Sequence, residues 1–166
     1  PDFPEPGIVF RDITPLLSDA SAYRKAIEAM AAPFADAAID QIAAIEARGY
    51  LLGCPMALAL GAGFVPVRKK GKLPFRTISE TYTLEYGEST VELHADAFRE
   101  RDRIVLIDDI IATGGTMLAA ASLIQRSGGH VVETATILDL PELGGSAKIR
   151  EAGYSVFAVC SFTEDE

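Results

Sequence analysis

The chain has few cysteines, few histidines and no long apolar run, and each of these features argues against a particular class of protein. Two cysteines and two histidines among 166 residues form neither a CxxC pair nor a metal-ligand spacing, which argues against a disulfide framework or a zinc module. We expect Cys54 and Cys160, which lie far apart in apolar sequence, to be buried thiols in a reducing compartment, with the cytoplasm as the default location. No apolar run approaches the ~20 residues of a membrane helix, and no signal segment precedes the first helix pattern.

Positive charge is also scarce, but it is concentrated in one part of the chain. Fifteen lysines and arginines face 24 aspartates and glutamates, a net charge of −9, which argues against a general affinity for nucleic acid or anionic membranes. Between positions 48 and 76 there is no acidic residue. This cationic segment contains Arg48, Arg68, Lys69, Lys70, Lys72 and Arg76. It indicates either a site for a small polyanion or a solvated basic loop that keeps the chain soluble.

Short apolar strands alternate with amphipathic helices along the whole chain, which predicts an α/β fold with a largely parallel sheet. No repeat, low-complexity tract or linker divides residues 1–166, so we expect one domain. The predicted strands are Gln41–Ile45, 64–67, 104–107, 130–138 and 155–159. One predicted helix starts at Ser18 or Asp19, and three further helices cover 52–60, 116–126 and 146–150. Residues 81–86 and 89–94 are expected to form an antiparallel hairpin or a mobile flap. In such sheets ligands bind beyond the carboxyl ends of the strands, where the loops 46–49 and 108–115 lie.

The most informative segment, 104–117, reads as an apolar strand, two acids and a turn of small residues that opens a helix. Glycines let the backbone approach a ligand closely, and successive amides at a helix N-terminus attract an anion. The hydroxyls of the turn add further donors. We therefore predict a cradle for a terminal phosphate monoester, although the GxxxxGK[ST] pattern of a Walker loop is absent. The turn consists of Ala112, Thr113, Gly114, Gly115 and Thr116.

Asp108 and Asp109 come directly before this turn. They could accept hydrogen bonds from the 2′- and 3′-hydroxyls of a ribose whose 5′-phosphate fills the turn. Their charge would also favour positive charge that develops on the sugar ring. The alternative for these acids is capping of a helix end and solvation.

The strand, the two acids and the A-T-G-G-T turn together resemble the signature of the type I phosphoribosyltransferases. Further segments resemble the adenine branch of that family, in its usual order and spacing. They read P-D-F-P-E-P-G-I-V-F-R-D-I-T-P-L-L at the start, E-A-R-G from Glu46, V-R-K-K-G-K-L-P from Val67 and Y-T-L-E-Y-G from Tyr82. The resemblance covers nearly the whole chain and weakens after Gly145.

The resemblance implies a fold with a central, mostly parallel sheet, a small hood from residues 1–15 and a flexible flap at about 77–95. It implies that adenine N9 is joined to C1′ of 5-phosphoribosyl 1-pyrophosphate, which gives AMP and pyrophosphate. Mg²⁺ would be bound mainly through the pyrophosphate donor, with no ligand set of its own on the protein. A homodimer is also expected from the family.

The resemblance assigns roles by position. Asp108, Asp109 and the turn Ala112–Thr116 would bind the phosphoribosyl group, and a strained cis peptide is expected near Ala47–Arg48. The backbone at Val9 and Arg11 would contact adenine, with Phe10 packed on its ring. The pyrophosphate-binding residues would be Ala47, Arg48, Arg68, Lys69, Lys72 and Tyr86.

The acid–base residue of the reaction is expected to be Glu85. The hypoxanthine–guanine branch carries an aspartate beside the purine where this chain has Ala112, and alanine cannot transfer a proton. Glu85, in T-L-E-Y-G, would accept the N9 proton. Spacing alone favours an exposed hairpin carboxylate, so only the resemblance gives Glu85 this role. The alternatives are transfer to another purine, xanthine or hypoxanthine, and a non-catalytic sensor of the phosphoribosyl donor.

Overall fold

The computed structural model describes residues 11–83 and 87–163, and these form an α/β domain around one seven-stranded sheet. The strands are β1 (Gln41–Ile45), β2 (Gly63–Lys69), β3 (Thr77–Thr83), β4 (Glu88–His94), β5 (Arg103–Ile111), β6 (His130–Asp139) and β7 (Val156–Ser161). The helices are α1 (Thr14–Ser18), α2 (Ala20–Ala31), α3 (Arg48–Leu60), α4 (Gly115–Arg126) and α5 (Gly145–Glu151), with short 3-10 turns at Ala32–Phe34 and Pro141–Leu143.

The sheet has the strand order β3-β4-β2-β1-β5-β6-β7. The five strands from β2 to β7 in this order are parallel, whereas β4 is antiparallel to both β2 and β3. The expectation of a mostly parallel sheet flanked by helices is therefore confirmed.

The central strands are apolar throughout because helices cover both faces of the sheet. In β1, Ala43 and Ile45 belong to the core on one face, and Ile42 and Ala44 to the core on the other. α4 and α5 pack on the first face, and α2 and α3 on the second. Successive side chains along β1 thus point to opposite faces of the sheet and contribute to two cores.

The start of α2 agrees with the sequence expectation. The Asp19 carboxylate accepts a hydrogen bond from the amide of Ala22 at 2.8 Å, which satisfies one of the free donors at the helix N-terminus. Ile27 and Met30 are buried beneath the sheet, but the predicted apolar face ends in the 3-10 turn, where Phe34 is buried.

The order of the strands positions the functional site. β1 lies between β2 and β5, and the chain leaves β1 through α3 on one face and β5 through α4 on the other. Adjacent strands whose connections depart to opposite faces leave a crevice at their carboxyl ends, where ligands bind in sheets of this kind.

Several boundaries and one burial expectation differ from the sequence analysis. β5 continues to Ile111, so both aspartates belong to the strand rather than to a loop, and β3 begins at Thr77 rather than at 81. The expectation that Cys54 and Cys160 are buried is wrong, since both are exposed. Cys54 lies on the outward side of α3, and Cys160 lies near the end of the edge strand β7. Among the described residues, no helix has both the length and the apolar character to cross a membrane.

Candidate functional site

A cavity of about 280 Å³ opens at the carboxyl ends of β1 and β5. It brings together the acid pair, the whole of the glycine turn and three of the residues predicted to contact pyrophosphate: Ala47, Arg48 and Lys69. Its lining consists of Ile45, Glu46, Ala47, Arg48, Lys69, Tyr82 and residues 108–117.

The glycine turn joins β5 directly to the N-terminus of α4. Gly114 caps the helix with φ of +80°, a conformation that glycine adopts without the strain a side chain would bring. The first amides of a helix have no partner within it, so this turn directs free N–H groups into the cavity. Thr116 donates its hydroxyl to the Tyr82 hydroxyl at 3.0 Å, which ties the turn to β3.

Gly145, thirty residues further along the chain, supports the turn from behind. Its amide donates to the carbonyl of Ala112 at 3.0 Å. A Cβ at position 145 would lie 2.2 Å from that carbonyl oxygen and 2.6 Å from the amide nitrogen of Gly114. A side chain therefore cannot be placed there without movement of the turn backbone.

The acid pair is held from the β1 side by Arg48. The Arg48 Nε lies 2.5 Å from an oxygen of Asp109, whose side chain is 5% exposed. This hydrogen bond, more than the nearby charges of Asp108 and Asp12, raises the pKa of Arg48 above its ordinary value. Arg48 thus compensates a buried carboxylate that would otherwise be costly.

Asp108 is only partly compensated. Burial and the neighbouring charge of Asp109 raise the pKa of Asp108 well above its ordinary value, although its Oδ1 accepts a 2.9 Å hydrogen bond from the Asp109 amide. Gly49 allows α3 to pack this close, since a Cβ there would lie 3.0 Å from the carbonyl oxygen of Ile107 and 3.3 Å from the Cα of Asp108. The cis peptide lies between Glu46 and Ala47, one bond before the expected position.

The cationic segment reaches the cavity through Lys69, while Arg68 is held beside it by an acid. Both carboxylate oxygens of Glu46 accept hydrogen bonds from the Arg68 guanidinium, each at 3.1 Å. The Lys69 amide donates to the same carboxylate at 3.1 Å. The hydrogen bond from Arg68 lowers the pKa of Glu46 in spite of opposing burial. Arg68 and Lys72 are not among the described residues that line the cavity.

The predicted adenine contacts are placed only in part. The guanidinium carbon of Arg11 lies 4.8 Å from the ring centroid of Phe162, and Arg11 is not among the described cavity residues. Val9, Phe10, Glu85 and Tyr86 lie outside the described residues, so their roles stay predictions.

Sequence reasoning missed four residues that shape the site: Glu46 as a partner of Arg68, Tyr82, Glu92 and Gly145. Glu92, on β4, is 4% exposed and accepts hydrogen bonds from amides of the cationic segment. The signal available for Glu92 was an acid between two apolar residues, Val91 and Leu93, in the second strand of the hairpin. Gly145 had no signal at all, since its role depends on a backbone contact far along the chain.

The carboxylates of the site do not form a metal cage. Within 11–83 and 87–163, no group of three or more histidines, cysteines, aspartates or glutamates could hold a metal ion. The cavity instead offers the amide turn and two carboxylates from β5, an arginine that follows the neighbouring strand β1, and a lysine at the end of the next strand, β2. This arrangement suits a ligand with a phosphate, then hydroxyl groups, then a second anion.

Comparisons with known proteins agree with this geometry. The phosphoribosyl transferase domain family matches residues 16–156. The adenine phosphoribosyltransferase of Chromohalobacter salexigens is 69% identical over 166 residues, which is 100% of this chain and 92% of that protein.

Solved structures of similar proteins share the fold. The crystal structure of adenine phosphoribosyltransferase from Rhodothermus marinus is 49% identical with a TM-score of 0.91, over 98% of this chain and 92% of that one. The enzyme from Saccharomyces cerevisiae, in complex with an imino-altritol bisphosphate and adenine, is 37% identical with a TM-score of 0.90, over 96% and 92% of the two chains. The chain therefore belongs to the family of the adenine phosphoribosyltransferases, which carry the phosphoribosyl transferase domain.

Proposed function

We propose that this protein transfers the 5-phosphoribosyl group of 5-phosphoribosyl 1-pyrophosphate to N9 of adenine, with AMP and pyrophosphate as products. The observation that carries the proposal is the order of groups on the neighbouring strands that line one cavity: the amide turn and the acid pair from β5, then Arg48 after β1 and Lys69 at the end of β2. This order matches a 5′-phosphate, two ribose hydroxyls and a pyrophosphate in one ligand. The relatives named above support adenine as the base.

In the proposed reaction the bond from C1′ to the pyrophosphate oxygen breaks and the bond from C1′ to N9 forms. The amide turn would fix the terminal phosphate, which orients the sugar relative to the base. Asp108 and Asp109 would hold the hydroxyls and favour the positive charge that develops on the ring. Arg48 and Lys69 would stabilise the negative charge on the departing pyrophosphate, and Arg68, Lys72 and Tyr86 are proposed as further contacts.

The described part of the cavity fits magnesium that is bound through the donor. Mg²⁺ binds through one or two carboxylates together with phosphate oxygens and water. The described cavity supplies the adjacent carboxylates of Asp108 and Asp109, while the Glu46 carboxylate is engaged by Arg68. When bound, the ion would neutralise the pyrophosphate charge. We also propose, on the family resemblance, that the protein is a cytoplasmic homodimer and that Val9, Phe10 and Arg11 contact adenine.

Glu85 is the proposed acceptor of the N9 proton. Glu85→Gln keeps the size of the side chain but removes its basicity, so turnover should fall about 10²-fold. The dissociation constant of the donor, measured by calorimetry, should stay close to that of the unaltered chain. Full turnover in this variant would remove Glu85 from the role.

A nucleobase panel tests the proposed function. The protein is incubated with donor, Mg²⁺ and adenine, hypoxanthine or xanthine in separate reactions, and nucleotide formation is followed by chromatography. We expect AMP from adenine and little product from the two oxopurines. Preference for an oxopurine would refute the choice of base, and donor binding without product from any base would support a sensor instead.

A further inference from the structure

Glu92 is a buried acid that contacts the backbone of the cationic segment. It lies on β4 opposite Arg68 in the strand register, and it is 4% exposed. Its Oε1 accepts hydrogen bonds from the amides of Lys72 and Leu73, both at 3.0 Å. Its Oε2 lies 3.4 Å from the hydroxyl of Thr77. The carboxylate therefore joins the turn after β2 to the start of β3.

The surroundings of Glu92 keep it charged. Burial raises the pKa of Glu92, but hydrogen bonds from the amides of Leu73, Gly71 and Lys72 outweigh burial and leave this pKa below its ordinary value. Hydrogen bonds to the charged form of an acid have this effect in general. The turn 70–73 is thus organised around a negative charge that belongs to the protein.

Successive backbone amides in a turn form a concave site for an anion, and here Glu92 fills that site. The amides of Gly71, Lys72 and Leu73 donate to Glu92, whereas Lys70 and Lys72 are exposed. Lys69 lines the cavity, and the charge of Lys72 acts on Glu46, a cavity residue. Arg68 reinforces this arrangement, because its Nη1 donates to the Lys72 carbonyl at 2.9 Å.

We propose that Glu92 is a positioning residue for the pyrophosphate end of the site: it fixes the turn 70–73 so that Lys69 and Lys72 face the leaving pyrophosphate. The inference rests on the proposed function, which places pyrophosphate on this side of the cavity. Glu92 itself does not touch the ligand and acts through the turn.

A purely structural role would have a different signature. Loss of a structural residue lowers stability and weakens every ligand alike, whereas loss of a positioning residue weakens only the ligand that its turn binds. The two ends of the cavity allow this distinction. Inorganic pyrophosphate reports on the lysine side, and AMP, which lacks pyrophosphate, reports on the glycine turn.

The test is calorimetric titration of the Glu92→Ala and Glu92→Gln variants with Mg²⁺-pyrophosphate and, separately, with AMP. Glu92→Ala should weaken pyrophosphate binding about tenfold, since hydrogen bonds to a charged acceptor are lost. Glu92→Gln keeps one acceptor oxygen and should weaken it about threefold. AMP affinity should stay within about twofold in both variants. Glu88, exposed on the same strand, supplies the control variant Glu88→Ala, which should bind both ligands like the unaltered chain.

Unchanged pyrophosphate affinity in folded Glu92 variants would overturn the inference, and so would equal weakening of AMP and pyrophosphate. If Glu92→Ala does not fold, the titrations of Glu92→Gln with the two ligands test the positioning role. The proposed function fails separately, when the unaltered chain makes no AMP from adenine. In that case a selective loss of pyrophosphate affinity in the variants would still support the positioning role.

Discussion

The two ends of the cavity differ in the groups that they would offer to an anion. At the β5 end, the turn 112–116 contains no charged side chain and presents backbone amides shaped by tight glycine contacts. At the β1 end, Arg48 and Lys69 supply full charges; Asp109 holds the Arg48 side chain, and Glu46 holds the backbone amide of Lys69. The first end depends on shape, and the second on charge. A substitution or a change of solvent should therefore affect one end more than the other.

The largest expected effect comes from filling the space behind the glycine turn. Gly145→Ala places a methyl group against backbone atoms of Ala112 and Gly114, which have to move. A displacement of about 1 Å in a positioned substrate costs about 10²-fold in rate, so AMP formation should fall by that much. Steady-state kinetics measures this loss, while pyrophosphate affinity should remain unchanged.

Gly144→Ala is the matched control for this prediction. Position 144 has φ of +73° but nothing within 4 Å of an added Cβ, so the change brings backbone strain of about 1 kcal/mol without contact to the turn. Normal turnover of Gly145→Ala, or equal losses in the two variants, would contradict the view that this end depends on shape.

Ionic strength should separate the two ends by about threefold to fivefold. Salt screens exposed charges over a Debye length of about 3 Å at 1 M, so raising KCl from about 0.05 M to about 0.5 M should weaken pyrophosphate binding roughly tenfold. Ribose 5-phosphate, held by neutral amides, should weaken only about twofold to threefold. Lys69→Gln should flatten the pyrophosphate dependence. If the affinities of the two ligands depended equally on KCl concentration, the proposed difference between the two ends would be contradicted.

Asp108, which lies between the two ends, should lower the stability of the fold although it is proposed to bind the ribose. The raised pKa of Asp108 means that folding disfavours its charged form, so its ionisation destabilises the fold as pH rises above the pKa of the unfolded chain. Asp108→Asn should therefore raise the free energy of unfolding at pH 7 by about 1 kcal/mol. The gain should shrink towards pH 4, where the unfolded carboxyl also binds its proton.

Urea denaturation at several pH values measures this gain. Asp36→Asn, which alters an acid exposed on the surface after α2, serves as its control. A loss of stability in Asp108→Asn at pH 7 would show that the carboxylate is fully compensated in the fold.

The smallest effect is expected where the hairpin meets the turn. Tyr82→Phe removes the acceptor of the 3.0 Å hydrogen bond from Thr116, and a neutral hydrogen bond contributes about 1 kcal/mol net. The KM for the donor should rise about threefold with little change in pyrophosphate affinity. Tyr154→Phe, beyond α5 and away from the described cavity, should leave both values unchanged. A tenfold effect of Tyr82→Phe would mean that Tyr82 contacts the ligand itself.

The same difference explains what the sequence could predict. The glycine turn and the acid pair are contiguous from Asp108 to Thr116, so their composition and order predict a site for a phosphate and a sugar, and the structure joins these residues in one cavity. The parallel sheet was also predictable, because apolar runs of strand length alternate with helical patterns. Boundaries were less certain, and β5 carries both aspartates because its hydrogen bonds to β6 continue to Ile111.

The parts that sequence reasoning missed depend on contacts between distant segments. Glu46 and Arg68 are paired across 22 positions, and Gly145 packs behind a turn formed thirty residues earlier. Neither contact leaves a local pattern of composition or periodicity. The burial of Cys54 was predicted wrongly for a related reason: its neighbours in sequence are apolar, but the direction in which a helical residue points is set by the phase of the whole helix.

The described groups of the cavity lie at the carboxyl ends of the strands. The amino ends of the strands are therefore available for the attachment of a label. The turns at 99–102 and 127–129 lie beyond the amino ends of β5 and β6, and the part of β5 that precedes Asp108 separates them from the acid pair by roughly 17 Å at about 3.3 Å per residue. A fluorophore or an immobilising tether attached at exposed Glu100 would therefore leave the ligand route open. Binding at the two ends could then be followed on a single labelled sample.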